Sequence, residues 1–367
     1  MTLERPFGQP QTIDINWSRR SFFSEVSKSL AVGLGICVAP GLVFYCGCTS
    51  STKSGTSNDT DLTIGQRGLS DGRFQKPRAI AIDASDKIYI VDKTGRIQKF
   101  DEAGKFILGW RTPAIDSGKP TGLSIDTDGS IMVADTHYYR FLFYTPEGEL
   151  IDERTIGGNN GPDPGQFAFV TDIVRTSTGE YYCGEYGEFD RIHKYSGLGQ
   201  YIDRMGEHGD GPLQFSRPQS LAIDQDGLLW VADSCNHRIQ IIDWRNDKPR
   251  SVAILGKQGQ GPGEFQYPYG LILAKDGTII VSEFGNHRVQ HLDRNGRSLA
   301  SWGVAGNRPG ELNQPWARGD TYWRVLARTR TLRDLRNQPS SLCLEPRKGV
   351  NWSVILLLFL NTRSMRR

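Results

Sequence analysis

Cysteine is scarce in this 367-residue chain, six in all. Cys37 and Cys46 fall in the first fifty residues, and Cys183 and Cys235 stand far apart in the middle. A disulfide framework is therefore excluded as the source of stability. Sustained helical periodicity is also missing. No segment between residues 61 and 316 repeats its apolar residues every 3.6 positions, which argues against helical architectures. The two apolar stretches that stand out are Leu30 to Tyr45, broken by Pro40, and the VILLLFL run beginning at Val354. Both are too short for a comfortable membrane span. The six histidines show neither H-x-E-x-H nor H-E-x-x-H spacing, so no zinc site is indicated. A nucleophile elbow, a phosphate loop and a metal-ligand run are all absent.

A basic nucleic-acid footprint is missing as well, although the net charge is +3. Residues 317–367 hold eleven Lys/Arg and three Asp/Glu, while residues 61–316 hold 28 basic and 34 acidic side chains. The basic balance belongs to the tail and not to the body of the chain.

What is present is a unit of forty-odd residues written five times. Its clearest copies are FSRPQSLAIDQDGLLWVADSCNHRIQIID from Phe215 and FQYPYGLILAKDGTIIVSEFGNHRVQHLD from Phe265. A proline opens the unit at Pro77, Pro120, Pro218, Pro268 and Pro315, with Val170 in that place in the third copy. An acid closes the second apolar run at Asp92, Asp135, Glu185, Asp233 and Glu283, at spacings of 43, 50, 48 and 50 residues. An arginine follows at Arg96, Arg140, Arg191, Arg238 and Arg288. Each copy reads as four short strands; in the fourth these are LAID, LLWVAD, RIQIID and SVAILG. Asp-Gly or x-Gly between the first two runs (Asp128-Gly129, Thr178-Gly179, Asp276-Gly277) is hairpin chemistry, because glycine accepts a positive φ. Four strands per unit at this period predict propeller blades.

These residues resemble the NHL repeat, roughly P-x-G-I-A-V-D-x-x-G-x-I-Y-V-A-D-x-x-N-x-R-I-Q. Asn236-His237-Arg238 and Asn286-His287-Arg288 match it best, and the third copy diverges most. The resemblance covers about residues 61–316. It implies an all-β, NHL-type β-propeller, six-bladed by design, with five recognisable four-stranded blades and the last truncated or scrambled. Leu62-Thr63-Ile64-Gly65 matches the fourth-strand position and is expected to be the outer strand of a closing blade.

One acid–arginine pair per blade reads as a structural bond repeated around the ring, because a single active site should break the repeat. Hence Asp92/Arg96, Asp135/Arg140, Glu185/Arg191, Asp233/Arg238 and Glu283/Arg288 are expected to be structural, and no catalytic or metal-binding residue is assigned. Antiparallel strands put the loops joining strands two and three on the same face as the loops between blades. Variable loops on a rigid scaffold are where binding usually lives. The expected binding face is therefore His137, Tyr138, Tyr139, Tyr186, Phe189, Phe284, Tyr267 and Tyr269. The competing reading is that such aromatics pack between blades.

Ser18-Arg19-Arg20-Ser21-Phe22-Phe23 resembles the twin-arginine export motif, and the apolar run follows it in signal order. Tyr45-Cys46-Gly47-Cys48 resembles a lipobox, with Cys48 the lipidation candidate and Tyr45 in place of the usual leucine. The expected organisation is a signal or anchor over 1–48, a Ser/Thr-rich tether over 49–60, the propeller over 61–316, and an irregular basic tail over 317–367. The pattern stops abruptly after Pro315-Trp316-Ala317, as out-of-frame translation or a truncation would produce. Translating the underlying DNA in the other two frames tests this; no sixth copy in either frame counts against a frameshift.

The expected function is an exported scaffold, periplasmic or membrane-anchored, that binds a protein, peptide or glycan without a cofactor. The alternative, implied by the resemblance, is a propeller enzyme of the peptidyl-hydroxyglycine lyase or lactone hydrolase type, with zinc or calcium in the channel. RNA binding, known for some NHL propellers, is disfavoured by the acidic body of the chain.

Overall fold

The computed structural model describes residues 64–274, 276–306 and 311–316. The twin-arginine-like segment, Cys48, the tether and the basic tail lie outside the described residues. The expected blades are all present as five antiparallel four-stranded sheets in chain order. Blade 4 comprises Pro218–Ile223, Leu229–Asp233, Arg238–Asp243 and Arg250–Leu255, matching the four runs read from its sequence. Its first turn closes because the Asp224 carboxylate accepts the backbone N–H groups of Asp226 and Leu228, both at 2.9 Å. The fourth-strand turn of blade 5 repeats the device with Asp293, which accepts from Asn295 and Arg297.

First strands of successive blades touch one another, so they lie nearest the axis. The core is a series of layers between blades. Tyr89, Val91 and Ile97 of blade 1 pack on Ile131, Val133 and Leu142 of blade 2. Trp230, Ala232 and Ile239 of blade 4 pack on Leu271, Ile279 and Val281 of blade 5. Second strands are therefore buried on both faces, whereas the outermost strand Phe106–Arg111 alternates half-buried and exposed positions.

One expectation is corrected. Ile64 is buried, but neither it nor Gly65 lies in a strand; pairing begins at Gln66–Arg67, which runs parallel to Arg73–Phe74. As expected, five four-stranded blades are formed among the described residues, and the described part of the sixth copy is its opening, up to Trp316. Blade 2 also departs from the pattern, with an outer strand of just Ile156–Gly157 after a 3-10 turn at Asp152–Arg154. There Arg154 turns inward to Asp126 at 2.6 Å and to Tyr181 Oη at 2.8 Å, and these bonds draw the chain off the strand path.

Candidate functional site

In four of the five blades the acid at the end of the second strand holds the loop that enters the blade. Asp92, Asp233 and Glu283 accept the backbone N–H groups of Gln75, Ser216 and Gln266 at 2.9, 2.7 and 3.0 Å. The paired arginine then donates to carbonyls of the same loop. Arg288 reaches Gln260, Gly261 and Glu264 at 2.6, 2.9 and 2.8 Å, and Arg238 reaches Asp210, Gly211 and Gln214. Gln98, Gln240 and Gln290 complete the clamp by bonding both an N–H and a C=O of that loop. In blade 3 the glutamine is replaced by His193, whose Nε2 lies 2.7 Å from Glu185. In blade 2 it is replaced by Leu142. There Arg140 bonds Asp135 but reaches no loop carbonyl, and Asp135 Oδ1 and Arg140 Nη2 are buried without partners. Burial raises the carboxyl pKa of Asp135 and of Asp233.

Turns between strands two and three join the interblade loops on one face, as expected. Cys235 N–H donates to Ser216, and Phe284 and Gly285 donate to Tyr267 and Gln266. The imidazoles of His237 and His287 belong to the same scaffold: each Nδ1 accepts a backbone N–H from the next loop, Tyr267 at 3.1 Å and Gln314 at 3.0 Å.

The residue after each opening proline is where the repeat stops being uniform. In blades 1, 3, 4 and 5 the register of the first strand slips at this point, so Arg78, Thr171, Gln219 and Tyr269 are the extra residues of β-bulges. A bulge re-aims its side chain out of the ladder, and here it does so at the loop-bearing end of the innermost strands. Trp316 occupies the same position in the opening of the sixth copy.

A continuous arc of rings and guanidiniums runs around this mouth. His137 packs on Phe169 at 4.9 Å between ring centroids, and Phe169 on Tyr186 at 5.5 Å. The Arg217 guanidinium lies over Tyr186 at 4.5 Å and over Tyr269 at 5.4 Å. Tyr269 meets Phe284 at 4.9 Å and Trp316 at 5.1 Å. Arg78 lies over Trp316 at 4.4 Å, which brings the arc from blade 5 back to blade 1. Burial lowers the pKa of Arg78, with Arg217 acting in the same direction. Burial also lowers the pKa of His137, with Lys119 and Arg78 adding to it. Among the described residues no carboxylate pairs with the side chain of Arg78 or Arg217. Asp190, near Arg217, instead accepts its backbone N–H and bonds His208.

Five of the eight expected face residues join the arc: His137, Tyr139 (stacked on Phe169 at 6.1 Å), Tyr186, Tyr269 and Phe284. The other three are engaged elsewhere. Tyr138 accepts the Ser117 N–H and lies under Arg140, Phe189 lies under Arg191, and Tyr267 packs on His237. Arg78, Phe169, Arg217 and Trp316 were missed. The available signal was non-uniformity at the residues flanking the opening proline, where charge and aromaticity replace a fixed motif.

The opposite end of the first strands borders a half-open pocket of about 200 Å³ lined by Ser124, Met132, Ile173, Ala222 and Ile272 among others. That is small for an organic ligand. No three His, Cys, Asp or Glu side chains converge as donors for a metal among the described residues. Cys183 is buried within a second strand, Cys235 lies just after one, and both are free thiols.

The family model described as "NHL repeat" matches residues 215–242, the span of the fourth copy. Among curated proteins, the chain is 27% identical over 187 residues to NHL repeat-containing protein 3 of Homo sapiens, covering 45% of this chain and 51% of that protein. It is 34% identical over 201 residues to peptidylglycine alpha-amidating monooxygenase of Rattus norvegicus, covering 51% of this chain and 18% of that protein. The chain thus spans about half the length of the first relative and under a fifth of the second. Among solved structures, a streptogramin B lyase is 17% identical with a TM-score of 0.49, covering 66% of this chain and 72% of that one. A virginiamycin B lyase from Staphylococcus aureus is 17% identical with a TM-score of 0.46, covering 66% and 73%. Residues 215–242 match the NHL repeat, and the chain folds as a β-propeller with five four-stranded blades among the described residues.

Proposed function

We propose that this propeller is a binding scaffold whose ligand, a peptide, protein segment or glycan, seats on the arc at the mouth of the first strands. The carrying observation is that side chains from blades 2, 3, 4, 5 and 1 and from Trp316 converge there. Aromatic and arginine side chains are the residue types that dominate binding energy at interfaces. The acid–arginine pairs do not compete for this role, because they are spent on the loops. The test is selection of a displayed peptide library and a glycan array against the full chain, with Tyr186→Ala and Tyr269→Ala as variants. Ligands retained by the parent and lost by both variants are expected. Retention unaffected by either variant counts against the reading.

The enzyme reading draws on the similarity to peptidylglycine alpha-amidating monooxygenase. Its zinc or calcium finds a poor fit at the arc, whose charged members are two guanidiniums and which lacks a converging donor set among the described residues. We derive no step through a metal. The proposal places the scaffold outside the cytoplasm, carried by the twin-arginine-like segment and anchored at Cys48. Radiolabelled fatty acid incorporated by the parent chain but not by Cys48→Ser is the expected result.

A further inference from the structure

Nine arginines among the described residues are buried or half-buried: Arg78, Arg96, Arg140, Arg154, Arg175, Arg191, Arg217, Arg238 and Arg288. Seven of them hold a carboxylate within 3.3 Å. Arg78 and Arg217 do not, and both lie within 6 Å of the Trp316 ring centroid, at 4.4 and 5.9 Å. Arg78 Nε is buried and has no hydrogen-bond partner, while Arg217 Nε has only the neutral Gln219 Oε1 at 3.1 Å. A partly buried charge with no counter-charge is costly, and two like charges facing one ring cost more. Among the described residues, every other arginine in a comparable setting has a carboxylate.

We infer that an external carboxylate completes this pair, bound between Arg78 and Arg217, with Trp316, Tyr269 and Tyr186 flanking the group that carries it. The inference rests on the arc being the ligand-binding surface and names the chemistry of its ligand. A guanidinium offers five N–H donors in a planar fork that matches the two oxygens of a carboxylate. Its face rests on an aromatic ring, so the donors at its edge remain available. The neighbouring rings favour an apolar or aromatic substituent next to the carboxylate. Lys119 and His137, on the blade 2 side of Arg78, add no negative charge to oppose it.

The experiment is calorimetric titration of the full chain with N-acetyl-phenylalanine, its amide and phenyl phosphate. It uses the parent protein, Arg78→Gln, Arg217→Gln and, as a control on an exposed outer strand, Arg250→Gln. The acid is expected to bind at least about tenfold more tightly than the amide, and more weakly as salt is raised. Arg78→Gln and Arg217→Gln should each remove that acid–amide difference, while Arg250→Gln keeps it. Without ligand, Arg78→Gln should melt at or above the parent temperature, because it removes an unpaired charge.

Equal binding of acid and amide overturns the carboxylate assignment while leaving the arc as a binding surface. So does a tenfold preference for phenyl phosphate. Loss of folding in Arg78→Gln, or no binding by any probe, overturns it too. Library ligands lost with the tyrosine variants but indifferent to both arginine variants would retain the scaffold reading and reject this one. Indifference to all four variants would reject both.

Discussion

Arginine does two different jobs here, and the partner decides which. Arg238 sits on Asp233 and two or more loop carbonyls, so its removal strands a buried carboxylate and frees a loop. Arg238→Ala should cost about 3 kcal/mol in urea unfolding. Arg140→Ala should cost less, about 1 kcal/mol, because Arg140 clamps no loop carbonyl. Equal losses would mean that the loop carbonyls contribute nothing. His193 carries a pH prediction. Burial lowers its pKa, so between its folded value and the ordinary value near 6.5 the unfolded chain binds the proton and the folded chain does not. Its contribution is complete above about pH 6.5 and declines as pH falls through that value. His137, His237 and His291 shift the same way. His193→Gln restores the residue found at Gln98, Gln240 and Gln290, so its stability loss between pH 7 and 5.5 should be smaller than the parent's in urea titrations at the two pH values. An unchanged loss would assign the response to the other histidines.

At the scale of the element, the interblade loop is held by a packing lock as well as by the clamp. Gly256 has a φ of +81°, and a Cβ there would stand 2.3 Å from the Phe265 ring. The same pairing recurs between Gly65 and Phe74. Gly256→Ala combines left-handed strain with a clash against a fully buried ring. Guanidinium unfolding should show a loss of about 2 kcal/mol or more. Gly129 has a similar φ of +89° but open space around it, so Gly129→Ala should lose only the conformational part, about 1 kcal/mol. Similar losses at the two sites would refute the lock. This level was readable in part beforehand. The strand order and turns of blade 4 followed from Asp224, Gly227 and the alternation around them. The short outer strand of blade 2 was not readable, because it depends on Arg154 finding Asp126, 28 residues away.

For the whole molecule, the contact between Arg78 and Trp316 links the first blade to the opening of the sixth copy. Trp316→Ala should therefore speed amide hydrogen exchange in Pro77–Ile82 and leave Tyr201–Met205, the outer strand of blade 3, at its parent rate. Unchanged exchange in Pro77–Ile82 would show that this contact contributes nothing to holding the ends together.

The five blades, apart from the short outer strand of blade 2, were determined by the amino-acid order alone. Each rests on interactions within one repeat, and a repeated local solution leaves the same mark five times. Only the tertiary structure decided which aromatics meet, that Tyr138, Phe189 and Tyr267 turn to other partners, and that Arg78 and Arg217 face one tryptophan without a carboxylate. Those residues are 139 and 99 positions apart from each other and from Trp316 in turn. Nothing local records their meeting: it follows from bulges that aim one residue per blade at a common mouth, and from the ring that brings the blades round to it.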